Sequence, residues 1–131
     1  HHTPQGGAIR AEQVAGVLEL IEATAGDVPS VLGGDFNIRS DAPELTVLKA
    51  TFVEAYSHAH ADQDINTPAH TTLNTHLGHP PEHIDHVFVQ RDAFRVVDAR
   101  IFLDQADATG AWPSDHYGVW ARVAWNDGLR R

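Results

Sequence analysis

The sequence predicts an α/β protein, a sheet layer flanked by helices, and three observations carry that prediction. Val14, Val17, Leu18, Ile21 and Ala25 recur at helical spacing opposite Glu12, Gln13, Glu19 and Glu22, which predicts an amphipathic helix from Ala8 to Ala25 with its apolar stripe in the core. Val28, Val31 and Leu32 then lead into Gly33-Gly34-Asp35-Phe36-Asn37, the pattern of a buried strand from Val28 to Gly34 that ends on a glycine pair. His83 to Gln90 alternates, with Ile84, His86 and Phe88 on one face and Asp85, Val87 and Val89 on the other. A helix feeding a buried strand implies packed layers.

Length and composition limit what such a fold can do. The chain has 131 residues, of which 42% are hydrophobic, enough for one domain with its own core. No apolar run approaches the ~20 residues that span a bilayer, and no signal-peptide pattern opens the chain. The expectation is a soluble protein, cytoplasmic or secreted. Cysteine is absent, which excludes disulfides and thiolate zinc sites. Eighteen acidic against nine basic residues give a net charge of −9, a surface that repels a polyanion and disfavours a large nucleic-acid footprint. Ten histidines are the unusual count.

The elements follow in order. Residues 1–7 carry turn formers and no periodicity, so they read as a loop, and Gly26-Asp27 ends the helix. The glycine pair lets the backbone turn or approach a neighbour closely, and Asp35 and Asn37, two apart on an extended chain, are expected to present a carboxylate and an amide side by side. Ser40 or Asp41 is suited to cap a short helix through Lys49, with Pro43 in its first turn. Residues 51–56 fit either a helix or a strand. Residues 57–82 form a long polar connection rich in His, Asn, Thr and Pro, of the kind that is usually functional or mobile, with a brief strand at Thr71-Thr72-Leu73. Val96 to Leu103 is a further strand, with Val97, Ala99, Ile101 and Leu103 on one side. After a loop through Gly110 and Pro113, Ser114-Asp115-His116 leads into a last strand reaching about Trp125. No internal repeat or second domain is evident.

Three polar clusters fall at predicted strand ends: Asp35 with Asn37, Asp85, and Asp115 with His116. Carboxylates hold a hard cation or orient an imidazole, a histidine moves a proton or contacts an anion, and an asparagine stabilises charge on a transferring phosphoryl group. Phosphoester hydrolysis uses that set. Taken singly, each cluster also fits an ordinary turn, cap or satisfied sheet-edge residue.

Gly33-Gly34-Asp35-Phe36-Asn37, Ile84-Asp85-His86-Val87-Phe88-Val89 and Ser114-Asp115-His116-Tyr117 resemble, in order and spacing, the last three motifs of the endonuclease/exonuclease/phosphatase superfamily, which includes deoxyribonuclease I and inositol polyphosphate phosphatases. The resemblance implies a metal-dependent phosphoesterase acting by in-line attack of activated water. It implies that Asp35 activates or orients that water or assists the leaving group, and that Asn37 hydrogen-bonds the scissile phosphate. It further implies that Asp85 orients His116, that His116 contacts the phosphate, and that Asp115 lies at or near Mg2+ or Mn2+. The implied fold is the C-terminal half of a four-layer α/β/β/α sandwich, with mostly antiparallel or mixed sheets. Residues 1–131 would then be one N-terminally truncated domain, because the family's strand Asn, metal-binding Glu and Thr-His-Leu strand are expected upstream of His1. The missing half is expected to cover the inner sheet, and the piece alone would lack a principal metal carboxylate.

Other readings stand beside this one. Asn74-Thr75-His76-Leu77 spells the absent motif but lies after Asp35 and lacks strand alternation, so it reads as coincidence. His58, His60, His70, His76, His79 and His83 lie on or beside the long connection and support a rival, a His-rich metal-binding protein, with His58 and His60 as a donor pair for zinc, nickel or copper. A non-catalytic fragment or homologue is the other alternative. His86 is expected to pack or hydrogen-bond within its strand. The acidic charge favours a phosphorylated small molecule or lipid headgroup over duplex DNA as substrate.

Overall fold

The computed structural model describes residues 6–127. Helix α1 (Gly7–Ala25) comes first and is stopped by Gly26, whose φ of +56° a glycine adopts at little cost. Strand β1 (Val31–Asp35) follows. A 3-10 turn over Pro43–Leu45 runs into α2 (Thr46–Lys49), then β2 (Phe52–Glu54) and α3 (Ala55–Ala59). Strands β3 (Asp85–Gln90), β4 (Phe94–Phe102) and β5 (Gly118–Trp125) complete the chain. No described helix is long and apolar enough to cross a membrane.

Three strands form an antiparallel sheet in the order β1-β3-β2, and β4 and β5 form an antiparallel hairpin. Opposite residues of an antiparallel pair share a face, so one register governs both sides of the sheet. On one face Leu32, Phe52 and Phe88 pack with Val14, Ile38, Leu45 and Leu48 under the helices. On the other, Val87 meets Ala55, Tyr56, Ile65 and the hairpin's Val96, Ala99, Ile101, Val119 and Ala121. The result is a helix layer, a sheet and a hairpin layer, the α/β architecture and antiparallel pairing expected.

Several local expectations need correction. The strand begins at Val31, and Val28 and Val31 are 65% and 56% exposed, so of the three apolar residues only Leu32 packs. The cause is position: β1 is an outer strand, paired to β3 alone, and the hairpin does not cover Val31. Along α1 only Val14 is fully buried, Leu18 and Ile21 touch the core, and Leu20 remains exposed. Neither Ser40 nor Asp41 caps the short helix, whose N-cap is Ala42, because the Asp41 carboxylate grips Arg39 instead at 3.0 and 2.7 Å. Residues 51–56 divide into strand and helix. The 57–82 connection folds into 3-10 turns at Pro68–His70 and Thr75–Leu77, and Thr71-Thr72-Leu73 makes a single bridge, Leu73 to His116, rather than a strand.

In β4 the alternation is broken by a register shift between Val96 and Asp98, which extrudes Val97 and brings Val96, Ala99 and Ile101 to the inner face. Leu103, expected on that face, lies past the strand and is exposed. The expected N-terminal loop lies outside the described residues as far as Gln5, and Gly7 already opens α1.

Candidate active site

Sheet register brings the first two clusters together. Asp35 ends β1 and stands opposite Asp85, the first residue of β3, so both carboxylates leave the same edge on the same face. Gly34, just before, has a φ of +151°, a conformation that a side chain would strain. Beyond Asp35 the strand stops. Asn37 takes a left-handed φ of +57°, and its backbone N–H donates to Asp35 Oδ1 at 2.8 Å. The expected extended, side-by-side pair is therefore replaced by a turn in which Asp35 holds the backbone of Asn37 and keeps Oδ2 for the site.

His116 arrives from the segment before β5. Its Nδ1 donates to Asp85 Oδ2 at 2.8 Å, and its Nε2 lies 3.9 Å from Asp35 Oδ2. The Nδ1 bond fixes the ring and leaves Nε2 directed at the space beside Asp35. Burial lowers the His116 pKa, but the hydrogen bond and charge of Asp85, with Asp35 and Asp115 behind it, outweigh burial and raise it above the ordinary imidazole value. Asp115 turns outward, its Oδ2 3.3 Å from His79 Nε2 and its side chain more than half exposed. Asp35, Asp85 and His116 thus offer ligand atoms within 4.8 Å of one another, while Asp115 stays outside that group.

Buried threonine and asparagine side chains hold this arrangement, and the sequence did not single them out. The Thr72 hydroxyl accepts from the backbone N–H groups of Ile84 and Asp85 at 3.1 and 3.3 Å and donates to Glu82 O at 3.4 Å. Its own carbonyl accepts from Tyr117 N–H at 2.7 Å, so one fully buried residue sets both Asp85 and the strand after His116. Asn74 caps the Thr75–Leu77 turn and donates to Ser114 O at 3.4 Å. The Asn74-Thr75-His76-Leu77 segment is indeed a turn and not a strand. Only strand-end polarity was visible locally, and apart from the Asn74 cap these contacts join residues ten or more positions apart.

A second cluster lies inside the protein. Glu54, His83 and His86 are each 3% exposed or less and offer ligand atoms within 4.8 Å of one another. His86 donates from Nε2 to Ile38 O at 2.8 Å, and its Nδ1 faces Glu54 Oε1 at 3.3 Å, so it is the packed, hydrogen-bonded residue expected. Burial raises the Glu54 pKa, but His86 and Ser57 reverse this and hold it below the ordinary carboxylate value. Burial pushes His83 down. His58 is exposed, His60 stacks on Tyr56 with its Nδ1 at 2.9 Å from the Tyr56 carbonyl, and neither belongs to the two clusters of potential metal ligands found among the described residues.

A layered α/β fold with antiparallel sheets, and carboxylates and a histidine gathered at strand ends, defines the deoxyribonuclease I-like class. Residues 2–116 match the model of the Endonuclease/Exonuclease/phosphatase family, and the chain belongs to that family. Among solved structures, a functionally unknown conserved protein from Enterococcus faecalis superposes with a TM-score of 0.71 at 23% identity, over 96% of this chain and 48% of that one. The human Nocturnin catalytic domain with bound sulfate gives 0.71 at 18% identity, covering 96% and 44%. D. rerio TDP2 complexed with a single-strand DNA product gives 0.69 at 17%, covering 93% and 52%. These likenesses show the fold, and this chain spans about half the length of the structures it matches. No curated protein is matched by the sequence. Proteins of this family are generally metal-dependent phosphoester hydrolases.

Proposed function

We propose that the intact protein hydrolyses phosphoester bonds with the help of Mg2+ or Mn2+. The observation that carries this reading is the Asp85–His116 hydrogen bond of 2.8 Å set beside Asp35 by the strand register. Asp85 holds the ring so that a protonated His116 presents Nε2–H to a non-bridging phosphate oxygen. Asp35, with Oδ2 free of the turn, accepts the proton of the attacking water or steers it in line. Asn37 supplies a hydrogen-bond donor to the scissile phosphate, and Asp115 with His79 lines the approach.

The donor set fits a hard cation. The carboxylates of Asp35 and Asp85 are partly exposed, and Mg2+ keeps several waters while taking one or two carboxylate oxygens. Asp115 is the further carboxylate proposed for the ion, together with a glutamate expected upstream of this chain. When bound, the ion would neutralise charge on the phosphoryl oxygens and lower the pKa of water.

A phosphorylated small molecule or lipid headgroup suits the site better than nucleic acid, given the net charge of −9. An apolar groove of about 570 Å³ between α1 and β1, lined by Val17, Leu20 and Leu32, runs to Asp35. Exposed Val31, which shares its sheet face with Val87 and Val89, lies on the inner face that a further half of the fold is proposed to cover.

The test is hydrolysis of bis(p-nitrophenyl) phosphate and p-nitrophenyl phosphate by the intact protein with and without Mg2+ or Mn2+. Metal-dependent release that disappears in Asp35→Ala and His116→Ala supports the reading. Activity that persists in both variants shows that the chemistry lies elsewhere, and an inactive wild type favours a non-catalytic homologue.

A further inference from the structure

We propose that Glu54, His83 and His86 form a buried structural site for a zinc-class divalent ion, separate from the strand-end cluster. His86 donates Nε2–H to Ile38 O at 2.8 Å, so in the neutral ring Nδ1 carries a lone pair, and that lone pair faces Glu54 Oε1 at 3.3 Å. In the metal-free protein a proton shared across this pair makes it an ion pair, and a divalent ion takes that proton's place on binding. His83 repeats the pattern in mirror form: Nδ1 donates to His70 O at 2.7 Å, and Nε2 is buried with no hydrogen-bond partner. A buried acceptor left without a partner is rare in folded proteins and asks for an occupant.

A cation satisfies all three atoms at once. Ligand atoms held 2.0–2.1 Å from a tetrahedral zinc lie about 3.3 Å apart, which matches the Glu54–His86 spacing of 3.3 Å. One ligand atom from each of the three residues already lies within 4.8 Å of the others, so closing on an ion needs a contraction of up to about 1.5 Å. Each imidazole is anchored through its other nitrogen to a backbone carbonyl, the outer support that orients histidine ligands. Glu54 Oε2 is occupied by Ser57 N–H at 2.6 Å, which leaves Oε1 for the ion and the fourth position for water.

Two imidazoles and one carboxylate in a dry pocket select a borderline ion such as Zn2+ over Mg2+, which demands oxygen ligands and retains its waters. The ion would tie the end of β2 to β3 and to the segment entering it, bracing Ile84 and Asp85 between two ligands. It would therefore act on stability and on the setting of Asp85, without touching substrate.

The experiment is titration of chelator-treated intact protein with Zn2+ against a chromophoric competitor, and with Co2+ read by visible absorption. One Zn2+ per chain with submicromolar affinity and an intense tetrahedral cobalt band are expected. Both should survive in the Asp35→Ala/His116→Ala double variant, and affinity should fall at least a hundredfold in His83→Gln and Glu54→Gln with folding checked by circular dichroism. Binding that is unchanged in those two variants, or lost in the double variant, overturns the site. If either internal variant does not fold, the double variant's cobalt spectrum decides: a weak octahedral spectrum of surface histidines contradicts the proposal, as does the absence of binding.

Discussion

Asp85 and His86 are neighbours on β3, yet one serves an open cluster and the other a closed one. Alternation along the strand sends Asp85 to the rim with Asp35 and His116, and His86 inward to Glu54 and His83. Both clusters combine carboxylate and imidazole, and environment sets them apart. At the rim, Asp85 and its acidic neighbours raise the His116 pKa in spite of partial burial. Inside, burial lowers that of His83. The same pair of side-chain types gives one cluster open to solvent and one sealed against it.

The largest effects should separate the clusters by what they damage. In the intact protein, Asp35→Ala and His116→Ala should each lower phosphoester hydrolysis by roughly 10²–10⁴-fold with little loss of stability, measured by kcat/KM beside urea unfolding. Glu54→Ala should do the reverse in metal-free protein, costing about 3–5 kcal/mol in urea unfolding because it strips a buried imidazole of its partner. Its pH signature follows from the sign of its shift. A depressed Glu54 pKa contributes stability that is present above the ordinary carboxylate value of 4.5 and lost as pH falls through the folded value. Acid unfolding of Glu54→Gln should accordingly show a shallower pH dependence than wild type.

A smaller change sits at the junction. Thr72→Val keeps the shape but leaves the N–H groups of Ile84 and Asp85 without their acceptor, a cost of about 1–3 kcal/mol in urea unfolding, and should loosen the Asp85–His116 bond. Smallest is Gly34→Ala. A Cβ there meets nothing within 4 Å, so the loss of about 1 kcal/mol expected from thermal unfolding comes from the φ of +151° alone.

Features encoded in neighbouring residues were legible in the sequence. The stripe of α1, the glycine-terminated β1 and the alternation of β3 depend on spacing within one element, and each formed close to where the pattern placed it. The polar clusters were legible because strand ends expose them. What escaped was set by distant partners. Nothing near Thr72 announces that its hydroxyl will serve Asp85, thirteen residues later. Nothing near Glu54 points to His86, which meets it only because β2 pairs with β3. The bulge at Val97 obeyed pairing with β5 rather than the apparent alternation. The apolar run of β1 suggested burial that this outer strand does not receive, since Val31 shares a face with Val87 and Val89 but lies beyond the reach of the hairpin.

One titration reads both clusters together. Side-chain NMR of the histidines in chelator-treated protein should place the His116 midpoint above the ordinary imidazole value of 6.5 and the His83 midpoint below it. For His116 the raised value means that the charged form, and the stability it brings, is complete below pH 6.5 and lost as pH rises through the folded midpoint. Asp85→Asn should bring His116 down strongly, through loss of both its hydrogen bond and its charge, and lower His83 only slightly, since Asp85 reaches that ring by charge alone. Midpoints that coincide, a reversed order, or a His116 midpoint indifferent to Asp85→Asn would contradict an open cluster that gathers a proton beside a sealed one that excludes it.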